Sequence, residues 1–240
     1  MTSDDFGCRG CSVAFRQPND VGRESGIQRP CLGFIVEGYG ELNSYRSIVQ
    51  RVLERPIGHI PVSNGEGCGN LVKHLESKLR DLVKTWHPAH IIVTLDGRDL
   101  CDLCADDNCP RLRENLQGRA DTWLAQQHAA GALVPLPESI VVVLQDRAFE
   151  SWLIADLDGL RLALDFVHIE NEPKWTNVDA QIRNPGAWLD DRLLPGVRLK
   201  DPMLPKNLMK YLTPTAMAQN SRSFRKFWKE VARTMQAEHC

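Results

Sequence analysis

The sequence predicts an α/β fold: a mostly parallel central sheet flanked by helices, followed by a small irregular and helical C-terminal extension. Three observations predict it. Apolar runs at 34–36, 90–95 and 139–144 have the length and composition of buried strands. Segments with apolar residues at helical spacing follow them. The resulting order, β-α-β-loop-α-β-loop-α-β-α, is that of parallel strands joined through crossover helices.

Residues 1–30 are polar, with Asp, Asn, Gly, Pro and Arg interspersed, and read as a loosely ordered, cysteine-bearing leader. The α/β domain is expected over 31–165 and the extension over 166–240. A strand–turn–helix unit spans 31–55. Its apolar run ends in Glu37-Gly38, and Leu42, Tyr45, Ile48, Val49, Val52 and Leu53 then recur at helical spacing. Gly38 and Gly40 are expected to let the backbone turn sharply there. Residues 57–62 read as a second strand, and a glycine-rich loop at 64–70 leads into an amphipathic helix at 71–86. The strand at 90–95 ends in Asp96, and a loop rich in cysteine and acid runs over 97–110. Residues 111–130 are helical, 139–144 form another strand, and 149–164 return to a helix. In that last helix Phe149, Trp152, Leu153 and Leu157 share one face, as core residues do, and Glu150 falls off it. Beyond Asp165, Pro173, Pro185, Pro195, Pro202, Pro205 and Pro214 cut the chain into short pieces until a basic helix at 221–237. Trp175 and Trp188 read as packing anchors in this stretch.

The chain has 240 residues, 42% hydrophobic and 25% charged, which suits a soluble globular protein of one large or two small domains. No apolar run reaches the length of a membrane span and none reads as a signal peptide, so a cytoplasmic protein is expected. The formal net charge of −2 gives no global basic excess, and nucleic-acid affinity would have to come from local patches. Eight cysteines without a secretion signal read as reduced thiols or zinc ligands rather than a disulfide framework.

Three strand ends carry acids: Glu37 with Glu41, Asp96 with Asp99, and Asp146 with Glu150. If the strands are parallel neighbours, these carboxylates converge at one edge of the sheet, where open α/β sheets bind their ligands. Acids held this close are costly unless a cation or a shared proton relieves them. Hard oxygen donors suit Mg2+ or Mn2+, which would orient and activate water and offset charge on a breaking phosphodiester. The plainer reading is that Asp96 or Glu150 caps a helix. Capping alone gives no reason for Glu37 and Glu41 to pair.

The motifs VEGYGE at 36–41, VTLDGRD at 93–99, DDNCP at 106–110, QDRAFESWLIAD at 145–156 and SRSFRKFW at 221–228 carry a family resemblance. Strand–Glu–Gly–x–x–Glu, a glycine-bearing loop, then strand–Asp–x–x–Asp resembles the Toprim fold of topoisomerases, primases and nucleases of the overcoming-lysogenization-defect type. More narrowly, the chain resembles bacterial Toprim-like proteins described as domain of unknown function 4276, with QDRAFESWLIAD the most specific match. The resemblance implies that Glu37, Glu41 and Asp96 ligate Mg2+ or Mn2+, with Asp99 and Glu150 as further ligands. Toprim proteins usually carry Asp-x-Asp at the second strand. Here Arg98 stands two residues after Asp96, so Asp99, or Asp106 and Asp107, would have to substitute.

Cys101-x-x-Cys104 with Cys109, and Cys8-x-x-Cys11, form two knuckles able to supply a structural zinc site, with Cys31 and Cys68 as other recruits. The knuckles lie much further apart than in a zinc ribbon. Cys109-Pro110 also matches the family pattern, which offers a packing role for that cysteine. Gly65-x-Gly67-x-Gly69 lacks the lysine of a P-loop and reads as a turn rather than a nucleotide cradle. The last helix carries Arg222, Arg225, Lys226, Lys229 and Arg233 opposite Phe224, Phe227, Trp228 and Val231. With Lys210, Lys206 and Arg198 nearby, it is either a docked amphipathic helix with a solvated face or a contact for a nucleic-acid backbone.

The expected activity is therefore divalent-metal-dependent cleavage of DNA or RNA, with a Lys or Arg near the metal stabilising charge. The resemblance adds a partner, an ABC- or SMC-type ATPase, as in bacterial anti-phage defence. The alternative is a catalytically degraded, nucleic-acid-binding or regulatory subunit, with Arg98 as its mark. A topoisomerase or primase is disfavoured, because no accompanying strand-passage or further primase domain is visible.

Overall fold

The computed structural model describes residues 29–54, 57–97, 109–170, 172 and 174–236. Four strands form the sheet: β1 (Leu32–Val36), β2 (Val62–Asn64), β3 (His90–Asp96) and β4 (Ser139–Gln145). They lie in the order β2-β1-β3-β4, and every neighbouring pair is parallel. Helix α1 (Tyr39–Val52) joins β1 to β2. Helix α2 (Cys68–Trp86) carries the chain back past β1 to β3, and α3 (Cys109–Ala129) leads to β4.

Alternation along each strand sorts side chains to two faces. Ile35, Ile91, Val93, Leu95, Ile140, Val142 and Leu144 pack under α2 and α3. Phe34, Val36, Ile92 and Val143 face the other way, into a core shared with α1 and the C-terminal helices. Both faces are covered, which is why β1, β3 and β4 read as unbroken apolar runs. Helices α1 and α2 lie on opposite faces, so the chain reverses its direction of winding between β1 and β3. That crevice, at the carboxyl ends of the two strands, is the topological switch point of the sheet.

The second strand comes later and is shorter than expected, at Val62–Asn64 rather than 57–62. Pro61 has no N–H to give a ladder; its carbonyl accepts the Phe34 N–H (2.9 Å), and regular pairing starts after it. The helix expected at 149–164 is two: α4 (Phe149–Ile154) and α5 (Leu157–Leu162). Asp156 divides them. Its carboxylate caps α5 by accepting the Gly159 N–H (3.0 Å), and it also accepts the Thr213 N–H (2.6 Å) and hydroxyl (3.0 Å). A Cβ at Gly159 would lie 2.6 Å from Asp156 Oδ2 and 2.8 Å from the Tyr211 carbonyl, so only glycine fits there.

Past Asp165 come the short helices α6 (Val178–Gln181), α7 (Pro185–Asp190), α8 (Leu204–Leu208) and α9 (Pro214–Asn220), then α10 (Arg222–Gln236). Phe224, Phe227 and Val231 of α10 are fully buried on the sheet face beside Phe34, Tyr45 and Trp152. The rings stack closely, with Trp152 4.9 Å from Phe227 and Tyr45 5.2 Å from Phe34. The Trp152 indole N–H is satisfied by Ser223 Oγ at 2.9 Å. Trp175 and Trp188 meet edge to face at 6.3 Å, as anchors of the irregular stretch. No helix among the described residues is long and apolar enough to cross a membrane.

At the outer edge of the sheet, Gln117 of α3 accepts the Val142 N–H (2.9 Å) and donates to the Ile140 carbonyl (2.7 Å). Its amide thus occupies backbone groups that an incoming strand would need. Gln117→Ala is expected to cost about 1–3 kcal/mol, since it orphans both groups, and to promote self-association; urea unfolding and light scattering would read the two effects. Trp152→Ala is expected to cost about 3–5 kcal/mol in the same unfolding assay.

Candidate functional site

Glu37 follows β1 directly. Its Oε2 accepts the backbone N–H of Asp96, at the end of β3, at 2.8 Å. Asp96 in turn accepts the Phe149 N–H through Oδ1 at 3.1 Å, which ties the end of β3 to the start of α4. The carboxylates thus bridge three consecutive strand exits across the switch point. Glu150, in the first turn of α4, lines one cleft together with Asp96.

Glu41 stands at the third position of α1 and accepts the Gly38 N–H at 2.6 Å, half of a capping box. Capping therefore explains one of its oxygens. The other accepts from Gln145 Nε2 at 2.8 Å, in a fully buried contact. Gln145 also reaches the Tyr45 hydroxyl (3.2 Å), which donates to Thr94 Oγ1 at 2.7 Å. The turn itself does not rest on Gly38, whose φ of −136° is open to any residue. The glycine loop is where the backbone needs glycine. Gly67 sits at φ 94°, and a Cβ on Gly65 would press within 3.0 Å of the Val36 carbonyl, which the Gly65 N–H bonds. The loop is packed against the end of β1 as a structural turn.

The electrostatics follow from this packing. Burial, with the Glu37 charge second, raises the Glu41 carboxyl from its ordinary 4.5 to about 8. The bonds from Gly38 and Gln145 pull it down, and the Glu150 charge adds a further upward push. Burial and the neighbouring Glu41 also hold the Tyr45 phenol well above its ordinary 10.

Glu37, Glu41, Asp96 and Glu150 are thus gathered at one rim of the sheet. Asp146 is not among them: it turns toward α10 and pairs with Arg222 (2.9 Å) and Lys226 (3.9 Å). Two of the basic side chains expected to contact nucleic acid are therefore engaged within the chain. Arg225 bonds the Ala218 carbonyl at 2.8 Å and Lys210 the Asn207 side chain at 3.0 Å; Lys229 is exposed. Asp99, Arg98, Asp106, Asp107, Cys8, Cys11, Cys101 and Cys104 lie outside the described residues, as does the side chain of Cys109. Cys68 is a buried thiol. Cys31 forms a disulfide, which corrects the expectation of a reduced or zinc-bound thiol at that one position. A bridge needs only that two Cα atoms come within about 7 Å, a proximity that spacing along the chain does not reveal.

Among the described residues, no group of three or more His, Cys, Asp or Glu side chains is placed so as to hold a metal ion. The donor chemistry nonetheless suits a hard divalent cation. All the donors are oxygens, and each ionised carboxylate has lone pairs beyond those its N–H bonds use. Among the described residues Gln145 Oε1 is a buried carbonyl oxygen with no hydrogen-bond partner, beside the acid most in need of a counter-charge.

Sequence reasoning missed Thr94 and Gln145, the polar residues within and at the end of buried strands, whose misfit in an apolar run was the available signal. It also missed two arginines. A cleft of about 570 Å³ is lined by Asp96 and Glu150 together with Arg147, Ala148, Arg183, Asn184, Pro185 and Gly186. Arg183 belongs to the proline-cut stretch, where no periodicity pointed to it.

The family model described as Domain of unknown function (DUF4276) matches residues 36–232. Among solved structures, the chain is similar to the C-terminal region of the OLD protein of Xanthomonas campestris pv. campestris. The two are 15% identical, with 88% of this chain and 98% of that chain covered and a TM-score of 0.38. No curated protein matches the chain.

A carboxyl whose folded pKa is raised stabilises the fold below its unfolded value, and that stability is lost as pH rises through the folded value. For Glu41 the window runs from 4.5 to about 8. The thermal midpoint should therefore fall across this range. Glu37→Gln removes the second-largest cause and should flatten the fall, as read by circular dichroism melts at stepped pH.

Proposed function

We propose that this chain, which belongs to the DUF4276 family, is a divalent-metal-dependent nuclease that cleaves DNA or RNA phosphodiesters. The observation that carries the reading is the gathering of Glu37, Glu41, Asp96 and Glu150 at the switch point of the sheet, with Glu41 buried among like charges. These four residues would hold Mg2+ or Mn2+, with Asp99 as a further ligand. When bound, the cation supplies the counter-charge the acids need and the Lewis acidity that activates water toward a phosphorus centre.

The chain's own residues supply the rest. The N–H bonds of Gly38, Asp96 and Phe149 orient three carboxylates on rigid element ends. Gln145, Tyr45 and Thr94 form the polar floor that keeps Glu41 turned toward Glu37. The arginines in the cleft offer charge to a phosphate. The sequence resemblance extends the proposal to an effector role in anti-phage defence beside an ABC- or SMC-type ATPase.

The test is incubation with Mg2+ or Mn2+ and either plasmid DNA or tRNA, with and without a neighbouring ATPase. Wild type should cleave, and Glu37→Ala and Asp96→Ala should not. Equal products from all three proteins would assign the cleavage to a contaminant. Mn2+ binding by an intact protein with no cleavage would favour the degraded, regulatory subunit. Gln145→Leu is expected to weaken Mn2+ binding about 10–100-fold, as loss of a ligand-orienting partner does, by calorimetry. The cation should also raise the thermal midpoint more at pH 9 than at pH 6, because below about 8 it must displace a proton from Glu41.

A further inference from the structure

The cleft beside the acids carries both signs of charge. Asp96 and Glu150 line it, and so do Arg147 and Arg183. Its volume of about 570 Å³ is that of a small-molecule site. Arg147 is half-buried and tethers the segment that carries Arg183. It donates Nε to the Asp179 carbonyl at 2.7 Å and Nη1 to the Arg183 carbonyl at 3.3 Å. The segment it grips is also pinned from behind. The buried Asp179 carboxylate accepts the Ser223 N–H at 2.8 Å and the Ser221 hydroxyl at 3.0 Å, both at the start of α10. In front, Asn184 caps α7 by accepting the Ala187 N–H at 3.1 Å. An exposed arginine side chain thus stands on a backbone fixed from both sides.

We propose that Arg183 binds a non-bridging phosphate oxygen of a nucleic-acid strand lying in this cleft, with Arg147 as the positioning residue that holds it there. A guanidinium presents paired N–H donors that match a phosphate. A planar fork on a rigid support loses little freedom on binding. Carboxylates lining the same cleft disfavour a bare anion, so the phosphate should bind more tightly once a divalent cation is bound beside them. By linkage the cation should then also bind more tightly in the presence of the strand. The nucleic-acid strand as ligand and this coupling rest on the nuclease reading above; the anion site at Arg183 does not.

The experiment is fluorescence anisotropy of the full chain with a labelled single-stranded oligonucleotide. It is run without metal and with Ca2+, beside calorimetry with Mn2+ alone. Arg183→Ala should weaken oligonucleotide binding roughly tenfold or more. It should also lower the salt dependence by about one phosphate contact and leave Mn2+ binding unchanged. Arg183→Lys should keep part of the affinity. The backbone tether survives both changes, because Arg147 bonds the Arg183 carbonyl and not its side chain. Arg147→Ala should weaken oligonucleotide binding in the wild type and add little in the Arg183→Ala background, the signature of action through Arg183. Oligonucleotide binding by Arg183→Ala within twofold of wild type, or no binding by wild type, overturns the proposal. Additive losses from the two arginines overturn the positioning role. Absence of Mn2+ binding with an intact Arg183 effect would sink the nuclease reading and leave the anion site standing.

Discussion

The register between β1 and β3 ends at Ile35 and Val93, yet both strands run on toward the crevice between them. What holds their ends together beyond that point is a side chain. The Glu37 carboxylate reaches across and accepts the Asp96 N–H, and Asp96 passes the link on to Phe149. A charge-assisted bond of this kind is stronger than a neutral one. Here it closes a gap that the backbone ladder leaves at the switch point. The first turns of α1 and α4 and the rim of acids take their places from it.

The same arrangement creates a conflict of charges. Glu41 is buried against Glu37, and neither burial nor a like charge favours its ionised form. The protein answers with donors rather than with a lysine or arginine: a backbone N–H and the amide of Gln145, itself braced by Tyr45 and Thr94. A neutral answer adds no positive charge beside Glu41. Positive groups, Arg147 and Arg183, line the neighbouring cleft together with Asp96 and Glu150.

Much of this was legible in the chain before folding was considered. The strands β1, β3 and β4 announced themselves because burial on both faces demands an unbroken apolar run, and their acids followed at once. Strand β2 did not: it is three residues long, half-exposed and displaced by Pro61. The break between α4 and α5 was hidden because Asp156 works through Gly159 and Thr213, the latter far along the chain. Asp146 was placed with the wrong group for a similar reason. Its proximity to Glu150 in sequence says nothing of Arg222, 76 residues away. Arg183 lay in a stretch with no period to read. Local pattern carries secondary structure and the acids that end it, whereas cross-chain polar partners are fixed only by tertiary packing.

The two halves of the core are completed at different moments of synthesis. The side built on α2 and α3 draws its residues from 35 to 144, and so is whole once β4 has been made. The side that carries Phe34, Tyr45 and Trp152 waits for Phe224 and Phe227, which follow far beyond β4 along the chain. A nascent chain stopped short of α10 therefore presents a wide aromatic face to its surroundings. In the growing polypeptide, the interval before that helix emerges is when a chaperone has most to cover.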